Sequence, residues 1–265
     1  VFSTLQANLI FPGRVTQGLP EARVTPPEGA ELLRLTTPRG ETITALFGRA
    51  LAGGQPISPE EARAAVTILY FYGNGMCLAD AVDQFQLFRE LGCNVLIPDY
   101  PGFGMSSGEP SETGCSAAAD ASYAHLLSRK DVDPSRIVVA GWSLGGAVAL
   151  DLAVRASPPP AGLIAFSTFT SLTELGQSRF PWIPVGVFLR HRFENDRKIA
   201  RVACPILLGH GRQDEIVPVA MTGRLAKMAS QPVESFVIDR ASHNDFFETD
   251  LALLRTRIQQ FLQSL

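Results

Sequence analysis

Short runs of apolar residues alternate with longer stretches of helical character over most of this chain, and few folds accept that rhythm. Val66–Tyr72, Asn94–Tyr100, Arg136–Trp142, Gly162–Phe169, Pro205–Gly211 and Val233–Asp239 are continuous in their apolar character rather than alternating. Strands buried on both faces read this way. Ala79–Leu91, Ser116–Arg129, Gly145–Arg155, Val219–Ala229 and Phe246–Leu262 read as the helices. The alternation predicts βαβ units and a mostly parallel sheet covered by helices on both faces. Two earlier strands, Glu31–Thr37 and Glu41–Phe47, meet at a turn over Pro38–Gly40 and are expected to be antiparallel or peripheral. Ser58-Pro59-Glu60-Glu61 reads as a capped helix start. No linker or repeat interrupts the pattern, so residues 1–265 are expected to form one α/β domain with about eight strands.

Composition narrows the function. The chain is 46% hydrophobic and 18% charged, with a net charge of -3. It is too apolar for disorder and poorly suited to neutralising a phosphate backbone, so no nucleic-acid partner is expected. Cys77, Cys93, Cys115 and Cys204 show neither a disulfide-scaffold nor a zinc spacing, and read as free, mostly buried thiols. No apolar run reaches the ~18 residues of a membrane span. The chain nevertheless starts at Val1 without methionine, and Val1–Pro12 is fairly apolar. That start reads as trimmed, which predicts a membrane-anchored or exported protein if a segment preceded it and a cytoplasmic one otherwise.

The chemistry concentrates in Gly141-Trp142-Ser143-Leu144-Gly145, which follows an apolar strand and opens a helix. In G-x-S-x-G the serine sits on a sharp strand-to-helix turn that projects its hydroxyl, and the free N–H groups of the helix start suit a developing oxyanion. A serine nucleophile needs a base oriented by a carboxylate. Of the four histidines, His243 lies in a polar loop after the last strand, while His210 at a strand end is the competitor. Asp214, after the penultimate strand, lies between serine and His243 in chain order, although an Asx turn would also explain it. The expected catalytic set is Ser143, Asp214 and His243. The expected oxyanion donors are the amides of Leu144 and Asn74, with Gly75 close behind. Tyr72, Gly75, Met76 and Trp182 are the candidate substrate contacts. Gly102-Phe103-Gly104 imitates a dinucleotide loop, but its third glycine is late and no helix follows. Residues 171–200 are too long for a plain connection and carry Phe180, Trp182, Ile183 and Val185, which suits either helix packing or a small apolar lid. No metal or organic cofactor is expected.

These residues, in this order, resemble the α/β-hydrolase superfamily from Val66 to about Leu262. The run from Asp99 to Gly108 is similar to the superfamily's D-Y-x-G-x-G-x-S-x-G pattern, and His210 to Pro218 to its H-G-x-x-D-x-x-V-P acid loop. The subgroup resembled is that of small-capped acyl hydrolases, which includes monoacylglycerol and lysophospholipid lipases and depalmitoylases. The resemblance implies a serine hydrolase of carboxylic esters or thioesters, working through an acyl-enzyme. Two departures are Tyr72 where the subgroup usually has histidine, a tyrosine expected either to line the pocket or to hold the loop by its hydroxyl, and Pro101 where arginine is common. A peptidase or amidase using the same triad, and a non-catalytic receptor on the same fold, are the alternatives.

Overall fold

A sheet apolar on both faces has to be covered twice, and the helices that follow each strand do so. The computed structural model describes residues 2–265; Val1, on which the trimmed-start reading rests, lies outside them. Helix α1 (Phe2–Ile10) precedes strands β1 (Ala30–Thr36) and β2 (Thr42–Gly48) and a small ribbon of β3 (Leu51–Ala52) and β4 (Gln55–Pro56). The regular part then runs α2 (Pro59–Ala64), β5 (Thr67–Phe71), α3 (Val82–Glu90), β6 (Asn94–Pro98), α4 (Glu112–Ser128), β7 (Ile137–Trp142), α5 (Leu144–Arg155) and β8 (Gly162–Phe166). Three short helices follow, α6 (Leu172–Arg179), α7 (Val185–Phe188) and α8 (Asn195–Lys198). The chain closes with β9 (Ile206–Gly211), α9 (Val219–Met228), β10 (Val233–Ile238) and α10 (Leu251–Ser264).

The sheet has eight strands in the order β1-β2-β6-β5-β7-β8-β9-β10. β2 runs antiparallel to β1 and β6, and every other pair is parallel. The chain moves outward from β5 to β6, then crosses back to place β7 on the other side of β5. The loops after β5 and β7 therefore diverge at their carboxyl ends and leave a crevice, the usual place for a site in such sheets. Strands β5, β6 and β8 are buried at every position.

Several boundaries differ from expectation, each for a local reason. β8 stops at Phe166 instead of Phe169, because Ser167 turns into a positive φ of 46° while its amide still bonds Gly209 O at 2.8 Å. α4 starts at Glu112, ahead of Ser116, because the Ser111 side chain caps it by accepting from the Gly114 amide. The expected helix Ala79–Leu91 opens as a 3₁₀ turn, Leu78–Ala81, before α3. α10 begins at Leu251 rather than Phe246, since Asp245 accepts from the Ser242 amide and closes a turn first, and Asp250 then supplies the cap. The N-terminal helix α1 was not foreseen, although Phe2, Leu5 and Leu9 recur at helical spacing.

All four cysteines are buried and free. Among the described residues no helix is long and apolar enough to cross a membrane. The Asp250 cap gives a direct check: its Oδ1 accepts from Leu253 N at 3.0 Å. Removing a cap of this kind costs about 1 kcal/mol, so Asp250→Ala should lower Tm by roughly 2–4 °C in a thermal melt.

Candidate active site

The site is built where β7 gives way to α5. Ser143 stands between Trp142, the last residue of β7, and Leu144, the first of α5, with φ 56° and ψ -118°. A non-glycine residue there is strained by about 1–3 kcal/mol, and its surroundings must hold it. The Ser143 amide donates to Phe166 O at 2.8 Å, and its carbonyl accepts from Thr168 Oγ1 at 3.0 Å. The turn closes only because its flanks lack side chains. A Cβ on Gly145 would lie 1.9 Å from Phe71 O, and one on Gly141 would lie 2.1 Å from Gly145 O.

His243 arrives from the loop after β10. Its Nε2 lies 2.9 Å from Ser143 Oγ, and its Nδ1 lies 2.7 Å from Asp214 Oδ2. A carboxylate only accepts, so Nδ1 carries the proton and Nε2 is left to accept from the serine hydroxyl. Trp142 packs on the imidazole, with ring centroids 4.9 Å apart. The structure thus brings Ser143, His243 and Asp214 into one hydrogen-bonded run.

Asp214 is held from three directions. Its Oδ1 accepts the amides of Ile216 (2.9 Å) and Val217 (2.7 Å), which is the Asx turn; its Oδ2 faces both His243 and His210. The turn and the relay therefore coexist on one side chain. Burial works to raise its pKa, but the bonds from His210, His243 and the Val217 amide outweigh it and hold the carboxyl well below the usual range. His210, the competing base, is fully buried and is hydrogen-bonded to Thr222, Val217 and Asp214 rather than to Ser143. Its Nδ1 meets Thr222 Oγ1 at 2.6 Å, and its Nε2 meets Val217 O at 2.9 Å and Asp214 Oδ2 at 3.1 Å.

The loop after β5 is closed by a second carboxylate. Asp99 Oδ1 accepts from the Tyr72 hydroxyl and from the Leu78 amide, both at 2.7 Å, so one oxygen ties down both ends of Gly73–Cys77. Its Oδ2 accepts from the Met105 amide at 3.0 Å. Gly104 lies so close that a Cβ there would stand 2.4 Å from Asp99 Oδ2; the apparent dinucleotide motif is a wrap around a carboxylate. Burial pushes the Asp99 carboxyl up to about 6, against the pull of the Tyr72, Met105 and Leu78 bonds. Burial also pushes the Cys77 thiol up to about 11, which leaves it a neutral packing residue.

Asn74 lies on this loop, its carbonyl accepting from Gly13 N (2.9 Å) and its Nδ2 donating to Ile10 O (3.0 Å). Among the described residues the amides of Asn74 and Leu144 have no protein acceptor. Both residues line the same cavity as Ser143 and His243, as do Gly75 and Met76. This cavity measures about 620 Å³ and its wall is mostly apolar, with Leu9 and Ile10 on one side and Leu172, Leu175 and Ile183 on another.

Two expected substrate contacts are corrected. Tyr72 is fully buried and does not line the cavity; its ring packs on Tyr100 while its hydroxyl serves Asp99. Trp182 is 78% exposed and faces out of the segment whose neighbours, Phe180 and Ile183, line the cavity. Sequence reasoning also missed four contributors: Asp99, the support from His210, the packing of Trp142 on His243, and the α1 wall. Asp99 stands inside a motif with no role attached, His210 is weighed only as a competing base, and the helical spacing of α1 is the signal that could have flagged its wall. Among the described residues no cluster of His, Cys, Asp or Glu could hold a metal ion.

Comparison with known proteins bears on the family and the fold. A model of the alpha/beta hydrolase family matches residues 71–194. An uncharacterized protein of Mycobacterium tuberculosis is 41% identical over 172 residues, 65% of this chain, and the match spans 60% of that relative's length. The alpha/beta hydrolase domain-containing protein 17B of Xenopus tropicalis is 30% identical over 219 residues, covering 82% of this chain and 70% of that one. Among solved structures, an esterase of Pyrococcus furiosus superposes with a TM-score of 0.70 at 18% identity, covering 91% of this chain and 97% of that one. Est1E of Butyrivibrio proteoclasticus, solved with ferulic acid, superposes with a TM-score of 0.70 at 17% identity, covering 88% and 98%. At such identities the likeness is one of fold.

The two carboxylates bend the pH dependence of stability in opposite directions. Asp214, depressed in the folded state, contributes stability that is whole above the ordinary carboxyl pKa and lost as pH falls toward its lower folded value. Asp99, raised, contributes stability that is whole below the ordinary carboxyl pKa and lost as pH rises through about 6. Urea unfolding across the acid range should show Asp214→Asn losing less stability than wild type below pH ~4. Equal slopes would contradict the Asp214 assignment. Tyr72→Phe removes one of the two donors to Asp99 Oδ1 and should cost about 1–3 kcal/mol in the same assay.

Proposed function

We propose that this chain, which belongs to the alpha/beta hydrolase family, is a serine hydrolase that cleaves acyl esters or thioesters through an acyl-enzyme. The observation that carries the reading is the run from Ser143 Oγ to His243 Nε2 (2.9 Å) and from His243 Nδ1 to Asp214 Oδ2 (2.7 Å), with Ser143 and His243 in the wall of an apolar cavity. The resemblance of its motifs to small-capped acyl hydrolases supports the same substrate class.

In this mechanism His243 Nε2 takes the Ser143 proton as Oγ attacks the acyl carbonyl. The Asp214 carboxylate holds the imidazole in the required tautomer and stabilises the imidazolium. The carbonyl oxygen, now anionic, accepts from the amides of Leu144 and Asn74, where fixed donors need no reorganisation as charge develops. His243 then returns its proton to the leaving alcohol or thiol, the C–O or C–S bond breaks, and the acyl group stays on Ser143. Water, deprotonated by the same imidazole, attacks the acyl-enzyme and releases the acid. The acyl chain lies along Leu172, Leu175 and Ile183, so residues 171–200 act as a small lid, with α1 as the facing wall.

Hydrolysis of p-nitrophenyl esters from acetate to palmitate tests the reading. Wild type should release a burst of p-nitrophenol and prefer longer chains. Ser143→Ala should lose activity by on the order of 10⁴-fold or more; wild-type turnover in that variant would overturn the mechanism. Leu175→Trp narrows the cavity and should shift the preference to shorter esters, while an unchanged profile would remove the lid from substrate recognition. Tyr72→Phe loosens the loop that carries Asn74 and should lower kcat about tenfold with KM nearly unchanged. Ester binding without any release would turn the reading toward a receptor.

A further inference from the structure

Exposed apolar side chains gather around the cavity mouth. Leu9, Phe180, Ile183 and Ile216 line the cavity and are also open to solvent, with Leu9 72% exposed. Trp182 and Val187 extend the patch outward along the same segment. Gln6 joins the two sides: its Nε2 donates to Phe188 O at 2.6 Å and its Oε1 accepts from Arg190 N at 3.1 Å. Apolar surface of this kind, continuous with a cavity, marks an interaction face.

The charge beside the patch says which kind. On a chain of net charge -3, residues 171–200 carry five cationic side chains against three acidic ones. Glu174 and Glu194 are already paired, with Arg224 and Arg197. Among the described residues Arg179, Arg190 and Arg192 form no ion pair with a carboxylate. The Arg179 guanidinium donates to the Glu215 and Ile216 carbonyls, and that of Arg192 to those of Gly186 and Leu189. All three are exposed: Arg179 lines the cavity with Phe180 and Ile183, and Arg192 lines a neighbouring groove with Val187, Glu194 and Asp196.

We propose that this face, formed by α1 and residues 179–192, docks on an anionic lipid bilayer. A bilayer offers both halves of what the surface presents: a negative headgroup layer for the arginines, and an apolar boundary for Trp182, Val187 and Leu9. It also sets the cavity mouth against the membrane. The proposal does not require Ser143 to act as a nucleophile.

Co-sedimentation with phosphatidylcholine vesicles, with and without phosphatidylglycerol, tests it. Wild type and Ser143→Ala should bind the anionic vesicles alike and the neutral ones weakly. Binding should shift tryptophan emission to the blue, and Trp182→Phe should remove the shift, since Trp142 is packed on His243. The double variant Arg190→Gln, Arg192→Gln should lower partitioning about 25-fold, roughly fivefold for each arginine. Trp182→Ser should lower it about tenfold. Arg136→Gln, at the opposite end of the strands, should leave it unchanged, and circular dichroism confirms that each variant is folded. Failure to bind anionic vesicles, equal binding to neutral ones, or binding that survives the arginine and tryptophan substitutions would overturn the proposal. So would concentration-dependent dimerisation that buries Trp182 and is abolished by Trp182→Ser.

Discussion

The backbone of α5 enters its first turn against the carboxyl end of β5, at a distance where no side chain fits. A Cβ on Gly145 would fall 1.9 Å from the Phe71 carbonyl oxygen. That contact brings the serine turn and the loop after β5 together across a strand boundary, and the rest of the site follows from it. It sets Leu144 and Asn74 on one cavity. It also forces Ser143 into a backbone conformation that the Phe166 and Thr168 hydrogen bonds must then sustain.

Two buried carboxylates support the two halves of the site, and their environments differ. Asp214 receives two imidazoles and two amides, enough to keep it charged despite burial. Asp99 receives a phenol and two amides and sits without a cation, so its charged form is less favoured. One holds His243 and the other the loop that carries Asn74. At position 72 the phenol supplies a donor aimed at Asp99.

Chain order and sheet edge made much of this legible beforehand. Ser143, Asp214 and His243 each follow a strand that the apolar runs reveal, and parallel strands deliver their following loops to one edge. Of the two readings of Tyr72, pocket lining and a hydroxyl that holds the loop, the structure bears out the second; the sequence does not choose because whether a residue just past a strand points inward depends on register with β6 and on Asp99, neither visible locally. Trp182 was misjudged because apolarity alone does not say which side of a short segment faces the cavity. The start of α10 was placed too early because Phe246 and Phe247 look helical in pattern, yet pack their rings from turns against Phe166. The same limit explains why Gln6 drew no notice: its two partners lie more than 180 residues away.

That glutamine has a mechanical corollary. An amide that gives with one end and takes with the other reads two successive points on the strap, Phe188 and Arg190, and fixes its direction as well as its distance. The opposing walls of the cavity therefore cannot part independently. A guest too wide for the cavity must break two hydrogen bonds at once or displace the first helix bodily, so the size limit of the cavity is felt at the beginning of the chain.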